Sequence, residues 1–176
     1  WNIGSADFTM DAWAYFDGFA VTLHNQSTLN ATSNSAFIIW VGSSPNTAGI
    51  YLSDITGWDY YNVNSTSLST GQWYHLAAVR SGDSLRMYVN GVSTSATSLP
   101  SAWTVGDSSR VLQIGEQDGN NYMNGYLDEV RFVKGTALWT SAFTPPTRRN
   151  LSAPVVDRSG HDNGGNFATK DMTDVA

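Results

Sequence analysis

The run from Asn124 to Pro146, NGYLDEVRFVKGTALWTSAFTPP, constrains the fold of this chain more than any other segment. In a β-strand, residues two apart point to the same side of the sheet. One face is therefore predicted to carry Tyr126, Asp128, Val130 and Phe132, with Val130 and Phe132 toward the core. The other face is predicted to carry Leu127, Glu129, Arg131 and Val133. This alternation predicts a strand in a sheet that is covered on at least one side.

The rest of the chain has the same β character. Ala6–Phe16 alternates strictly, and the segments 19–23, 36–41 and 49–55 form further predicted strands. Gln72–Arg80 is apolar on both faces, which predicts a position inside a sheet. The Asn90-Gly91 pair supplies the positive φ angles of a type I′ hairpin turn. Consecutive hairpins predict an antiparallel, all-β sandwich.

Composition limits the function classes. The chain has 176 residues, of which 41% are hydrophobic, enough for one domain with a substantial core. It has no cysteine, which excludes disulfides, thiolate chemistry and zinc fingers. The formal charge of −6, with scattered basic residues, disfavours nucleic acid as a partner. No segment approaches transmembrane length, so membrane insertion is not expected.

The composition shifts once, after Pro145-Pro146. Apolar residues thin out beyond this point, and Gly and Asn cluster in GHDNGGN. We expect a sandwich domain over residues 1–146 and, over 147–176, a linker, a strap on the sandwich or the start of a following module. Because the chain opens at Trp1 without an initiator Met, it is expected to be part of a longer protein.

Four motifs stand out: FTMDAWAYF near the start, WYHLAAVRSGDSLRMYVNG at 73–91, LQIGE at 112–116, and NGYLDEVRFVKGTALW from Asn124. Together they resemble the laminin G-like, concanavalin A-like lectin/glucanase jelly-roll family. The resemblance covers about residues 5–146, and the exit ALWTSAFTPPT looks most like versions in bacteriophage structural and tail proteins. One departure is that only Trp1–Ser5 precede FTMDAWAYF, where the family usually has another strand.

The resemblance implies an antiparallel two-sheet jelly roll that recognises glycans or a cell-surface ligand, sometimes through calcium. It also implies a virion-surface or other extracellular location, other structural subunits as partners, and a homo-oligomer within an assembly. A purely structural virion or fibre domain is the alternative, and a glycoside hydrolase of the same fold is a third.

Catalysis is not expected from the residues. A glycoside hydrolase needs two carboxyl groups about 5–9.5 Å apart across the scissile bond. Asp128 and Glu129 are adjacent in a strand, so the pleat directs them to opposite faces. Glu116-Gln117-Asp118 begins a suitable spacing, but Gly119-Asn120 follow where a second Glu is needed. We therefore predict a non-enzymatic protein.

The charged residues of these motifs have structural explanations. Asp128 is predicted to hold a neighbouring loop through backbone N–H groups, because a buried carboxylate must be hydrogen-bonded. Glu129 and Arg131 are predicted to form a partly exposed ion pair. His75, in the middle of an apolar strand, is predicted to be a structural histidine.

The aromatic residues supply the candidate ligand-binding surface. The chain has 7 Trp, 8 Tyr and 7 Phe, and aromatic faces beside amides and carboxylates suit sugar rings. The predicted ligand-binding residues are Trp58, Asp59, Tyr60 and Tyr61, then Asn120, Asn121 and Tyr122, with Trp13 and Tyr15 as a second platform. Two alternatives remain: Trp58 and Tyr60 could alternate inward in a further strand, and a neighbouring subunit could cover Trp13 and Tyr15.

Calcium is the only metal that the sequence suggests. Hard cations need several oxygen ligands from flexible loops. Asp118 and Asn120, in the loop Glu116–Tyr122, are the candidate ligands, although Asx-rich turns also form for their backbone geometry alone.

Overall fold

The computed structural model describes residues 2–27 and 34–147. Within these ranges the secondary structure is entirely β. The strands are β1 (Phe8–Phe16), β2 (Val21–Gln26), β3 (Phe37–Val41), β4 (Ala48–Ser53), β5 (Trp58–Val63), β6 (Trp73–Ser81), β7 (Ser84–Val89), β8 (Val92–Ser93), β9 (Thr97–Ser98), β10 (Gln113–Ile114) and β11 (Gly125–Lys134). No helix in the described ranges is long and apolar enough to cross a membrane.

The strands form two antiparallel sheets. One has six strands in the order β11-β1-β6-β7-β8, with β9 also paired to β7, and the other has five in the order β10-β2-β3-β4-β5. Because β1 pairs with both β11 and β6, the first and last strands of the domain are neighbours. The predicted antiparallel, two-sheet jelly-roll sandwich is confirmed.

The core lies between the inner faces of the two sheets, as the period-two patterns require. From the six-stranded sheet it includes Phe8, Met10, Ala14 and Phe16 of β1, and from the five-stranded sheet Phe37, Ile39, Ile50 and Leu52, all buried. Full burial of a large apolar side chain contributes roughly 1.5–3 kcal/mol, so these alternating positions supply the driving force that fixes each strand's face.

Local turn signals were correctly interpreted. Asn90 and Gly91 have φ angles of 48° and 78° between β7 and β8, as the predicted type I′ turn requires. The strand with two apolar faces, β6, lies inside its sheet between β1 and β7. The stretch around Tyr60 is strand β5, which agrees with the alternative that it is a further strand.

The strict alternation predicted for β11 is wrong. Asp11 pairs with Arg131, but Trp13 pairs with Asp128, so two residues of β11 oppose one of β1. This β-bulge, with Glu129 at φ 49°, reverses the faces beyond it. Asp128 therefore lies opposite Trp13 on the outer face, and Val130 is 36% exposed instead of contributing to the core. Phe132 does pack against the core, as predicted.

The segment after β11 covers part of the outer face of the six-stranded sheet. Ala137, Trp139 and Phe143 pack against a small buried cluster of Ala77, Val79 and Tyr88. Thr9 and the segment exchange two hydrogen bonds: its Oγ1 donates to the Thr136 carbonyl (3.1 Å) and accepts from the Leu138 N–H (2.9 Å). Apart from Thr147, the predicted second segment lies outside the described residues.

Candidate functional site

An open groove of about 530 Å³ lies on the outer face of the five-stranded sheet. Its lining includes Thr22 of β2, Ile38 and Trp40 of β3, and Tyr51 of β4, with Gln117 and Asn121 from the loop before β11. The strand residues face outward because their neighbours in sequence, such as Ile39 and Ile50, fill the core.

Trp40 forms the floor of the groove. It pairs across the strands with Gly49, and the absence of a side chain there lets the indole lie against the sheet. A Cβ at position 49 would stand 3.2 Å from indole atoms Cε2 and Cζ2, and one at Gly42 would stand 2.7 Å from Cζ3. The two glycines therefore fix the orientation of the ring.

Trp40 begins a row of aromatic rings across three strands. Its ring stacks on Tyr51, with centroids 5.8 Å apart and planes 21° from parallel. The Tyr51 ring contacts that of Tyr61 of β5, at 5.4 Å and 38°. Tyr61 is 58% exposed, so the row runs from the groove to open solvent.

The polar wall of the groove is a short hairpin with fixed geometry. Gln117 and Asn120 exchange two backbone hydrogen bonds of 2.8 Å, around Asp118 and Gly119 at φ 50° and 71°, as in a type I′ turn. The Asn121 carbonyl accepts the Thr22 N–H at 2.9 Å, which anchors the hairpin to β2.

Hydrogen bonds also hold the side chains of this wall. Asn121 Nδ2 donates to Gln117 Oε1 (3.1 Å), and Gln117 Nε2 donates to Ser27 Oγ (2.9 Å). Rigid amides beside a flat aromatic floor suit a ligand with an apolar face and several hydroxyl groups, since little side-chain entropy is lost on binding.

The predicted ligand-binding residues lie in several environments. Asn121 lines the groove and Tyr61 extends its aromatic row. Tyr60 points inward and its ring packs edge-on to Trp103 at 5.0 Å, which fits the alternative in which it alternates inward. Asp59 accepts the Asp54 N–H at 2.8 Å. The side chain of Trp58 lies outside the described residues.

The second predicted platform, Trp13 and Tyr15, lies among side chains of the neighbouring strands. Tyr15 is 6% exposed, with its ring 5.6 Å from Trp73 and 5.8 Å from Tyr126. The ring of Trp13 meets the edge of His75 at 5.3 Å. Side chains from β6 and β11 thus bury Tyr15 and leave Trp13 only partly exposed.

Sequence reasoning did not single out Trp40, Tyr51 or Thr22. In FIIWV and AGIYLS these aromatics look like ordinary residues of apolar strands. The available signal was the alternation within each strand, which places Trp40 and Tyr51 opposite the core positions.

His75 belongs to a buried cluster on the outer face of the six-stranded sheet. Its Nε2 lies 3.1 Å from Asp11 Oδ2, and Arg131 donates to both oxygens of Asp11 at 2.8 and 2.9 Å. The rings of Trp139 and Phe143 meet His75 edge-on. The cluster thus joins β1, β6 and β11 to the covering segment.

Hydrogen bonds shift the pKa values of the charged groups in this cluster. Burial by itself raises the pKa of Asp11, but the hydrogen bonds from His75 and Arg131 outweigh burial and hold that pKa below its ordinary value. The bond to Asp11 raises the pKa of Arg131, and the nearby charge of Glu129 adds to the shift. Asp128 Oδ1 accepts the Glu129 N–H within the bulge at 2.8 Å.

The second described histidine, His24, faces the interior of the sandwich. It is 1% exposed and its ring packs 5.4 Å from Phe132. Burial lowers the pKa of His24 to about 4, so the residue is neutral at physiological pH.

The loop predicted to bind calcium uses its carboxylate for another contact. Asp118 forms an ion pair with Arg110, and Asn120 Nδ2 donates to the Asp118 carbonyl at 3.1 Å. In the described part of the chain, no three His, Cys, Asp or Glu side chains gather as metal ligands would. Calcium binding by Asp118 and Asn120 stays a prediction, and Arg110 competes for the carboxylate.

The sequence model of the concanavalin A-like lectin/glucanases superfamily matches residues 2–144. A comparison with curated protein sequences gives no significant match.

Solved structures with a similar fold include three carbohydrate-related proteins. A putative carbohydrate-binding protein from Bacteroides ovatus is 19% identical, with a TM-score of 0.59 over 80% of this chain but only 39% of that one. The CBM40 of Ruminococcus gnavus IT-sialidase, bound to α2,3-sialyllactose, is 14% identical, with a TM-score of 0.60 over 77% of this chain and 78% of that one. Domain 4 of the Geobacillus stearothermophilus arabinanase AbnA, in complex with arabinotriose, is 17% identical, with a TM-score of 0.55 over 76% and 63%.

Proposed function

The chain belongs to the concanavalin A-like lectin/glucanase superfamily, and we propose that within it this protein is a non-enzymatic module that binds glycans. The observation that carries the proposal is the groove on the five-stranded sheet, where the Trp40 indole forms the floor and Asn121 and Gln117 form a polar wall. C–H faces of a sugar ring stack on the indole, and its hydroxyl groups exchange hydrogen bonds with the amides.

The composition of the groove supports a binding role over catalysis. Of the described residues that line it, none is Asp, Glu or His. Hydrolysis of a glycosidic bond needs an acid and a second carboxylate facing each other across the bond. The described lining therefore provides contacts for a sugar but no carboxyl groups that would cleave its glycosidic bond.

The fold of this chain also occurs in carbohydrate-related proteins. One of them is described as a putative carbohydrate-binding protein, and two were solved with a bound oligosaccharide. Because their sequences are less than 20% identical to this chain, the likeness itself shows only the fold.

We further propose that the module acts on a virion surface or in another extracellular assembly, as a homo-oligomer beside other structural subunits. The resemblance of ALWTSAFTPPT to phage tail and structural proteins supports this context. Mass spectrometry tests this context. We expect peptides of this chain in purified virions and none in the particle-free supernatant.

A structural, non-binding role is the second candidate. It is favoured by exposed apolar side chains around β10, where Val111 is 72% and Ile114 50% exposed, with Tyr122 at 63%. Contiguous exposed apolar residues often mark protein–protein contacts.

Glycan-array binding of the full chain, with and without calcium, tests the proposal. We expect binding to a restricted set of glycans, lost in Trp40→Ala and retained in Tyr126→Ala, an exposed aromatic on the other sheet. Absence of binding in both conditions, together with a large interface between copies, would favour the structural role.

A further inference from the structure

We infer that the groove selects uncharged glycans and rejects acidic ones such as sialylated, uronic-acid or sulfated sugars. This inference rests on the proposed function and specifies its ligand class. It follows from where the charged side chains of the described chain lie relative to Trp40 and Asn121.

The lining of the groove carries no charged residue. It consists of apolar, hydroxyl and amide side chains, two aromatic rings and a glycine. A carboxylate or sulfate placed there would lose hydration without gaining a cationic partner, and burial of an unpaired charge is unfavourable. The hydroxyl groups of an uncharged sugar are satisfied by the amides at no such cost.

None of the cations in the described ranges lines the groove. Five of the nine Lys and Arg residues lie in the described ranges: Arg80, Arg86, Arg110, Arg131 and Lys134. Four of these belong to strands of the six-stranded sheet, across the sandwich from the groove. The fifth, Arg110, contacts the Asp118 carboxylate. The other four cations of the chain lie within 148–176, outside the described residues.

The charges nearest to the lining in sequence are negative. Glu116 and Asp118 flank Gln117, and Asp17 lies three residues before Ala20, which borders the groove. With a net charge of −6 for the whole chain, the Asp17 and Glu116 carboxylates oppose the approach of an anionic ligand, whereas the charge of Asp118 is compensated by Arg110. Recognition of acidic sugars would instead call for an Arg or Lys aimed at the anionic group.

The test uses neutral and acidic probes that share a scaffold. Titration calorimetry of the 176-residue chain compares lactose with 3′-sialyllactose, and galactose oligomers with their galacturonic-acid counterparts, after a glycan array has identified neutral binders. Where the neutral probe of a pair binds, we expect its acidic counterpart to bind at least roughly tenfold more weakly. Affinity for the neutral member should change less than about twofold between 0.1 and 0.5 M NaCl, because no ion pair is formed.

A positive charge added to the groove provides the matched variant. Ser43 is an exposed residue of the lining, so Ser43→Arg should reduce the difference in affinity between neutral and acidic probes. The uncharged Ser43→Gln should leave that difference in affinity unchanged. Acidic glycans that bind as tightly as neutral ones, with binding lost in Trp40→Ala, would overturn the selectivity and leave the glycan-binding function intact. Failure of every neutral and acidic glycan to bind would overturn both.

Discussion

The indole of Trp40 lies against Gly49, its cross-strand partner, where a Cβ would stand 3.2 Å from two of the ring carbons. Gly49 therefore leaves the space that the Trp40 indole occupies at the floor of the groove. Glycine in a strand interior costs stability relative to other residues and often marks a close approach. Here the close approach is that of the residue proposed to stack on the ligand.

Gly49→Val should tilt the indole and weaken glycan binding while the sandwich stays folded. We expect the affinity to fall roughly tenfold, about 1.4 kcal/mol, because the added methyl groups compete with the ring for the same space. Gly57→Ala is the matched control, since a Cβ there meets nothing within 4 Å. Equal affinities of the two variants by titration calorimetry would show that Gly49 does not position the Trp40 indole for binding.

Tyr61→Ala should reduce affinity for long oligosaccharides more than for disaccharides. Tyr61 lies at the exposed end of the aromatic row, beyond Tyr51, so only a longer chain reaches it. We expect a loss of about 0.5–1.5 kcal/mol, typical of an aromatic contact. Tyr126→Ala, 47% exposed on the other sheet, should leave the length dependence unchanged, and a uniform loss in both variants would contradict the assignment.

Asp11→Asn should destabilise the fold without affecting the groove. Asp11 is 4% exposed and is bonded to both Arg131 and His75. Because Arg131 is 42% exposed, solvent screens part of the loss, and we expect a decrease of about 2–3 kcal/mol in unfolding free energy by urea denaturation. The exposed Asp17→Asn serves as control. An unchanged unfolding midpoint in Asp11→Asn would show that the cluster does not stabilise the fold.

Stability should fall on mild acidification because of His24. The unfolded chain binds a proton at this residue below about pH 6.5, whereas the folded state binds it only near pH 4. Acid therefore favours unfolding, with the loss beginning near pH 6.5 and complete by about pH 4. The contribution is up to about 3 kcal/mol at 1.36 kcal/mol per pKa unit.

The corresponding measurement is urea denaturation at several pH values in wild type and His24→Gln. The variant should show a flatter dependence of unfolding free energy between pH 6.5 and 4.5. Identical slopes would show that His24 is not the residue responsible.

Local patterns made the fold predictable, and pairing between strands made part of it unpredictable. The Asn90-Gly91 turn and the two-sided apolar character of β6 are local, and both predictions are confirmed. The bulge at Glu129 depends on how β11 pairs with β1, so alternation along β11 alone gave Asp128 the wrong face and Val130 a core position that it does not occupy.

The candidate site was harder to predict for the same reason. Asn121 and Tyr61 were singled out by residue type, but Trp40 was not, because its role follows from the glycine opposite it on β4. Trp13 and Tyr15 looked like an open platform until β6 and β11 placed His75, Trp73 and Tyr126 around them.

The most direct measurement is a crystal structure of the chain with a neutral oligosaccharide selected on the array. We predict a sugar ring stacked on Trp40, with hydroxyl groups hydrogen-bonded to Asn121 or Gln117. A sugar bound only on the six-stranded sheet, or a groove filled by a second copy of the chain, would contradict it.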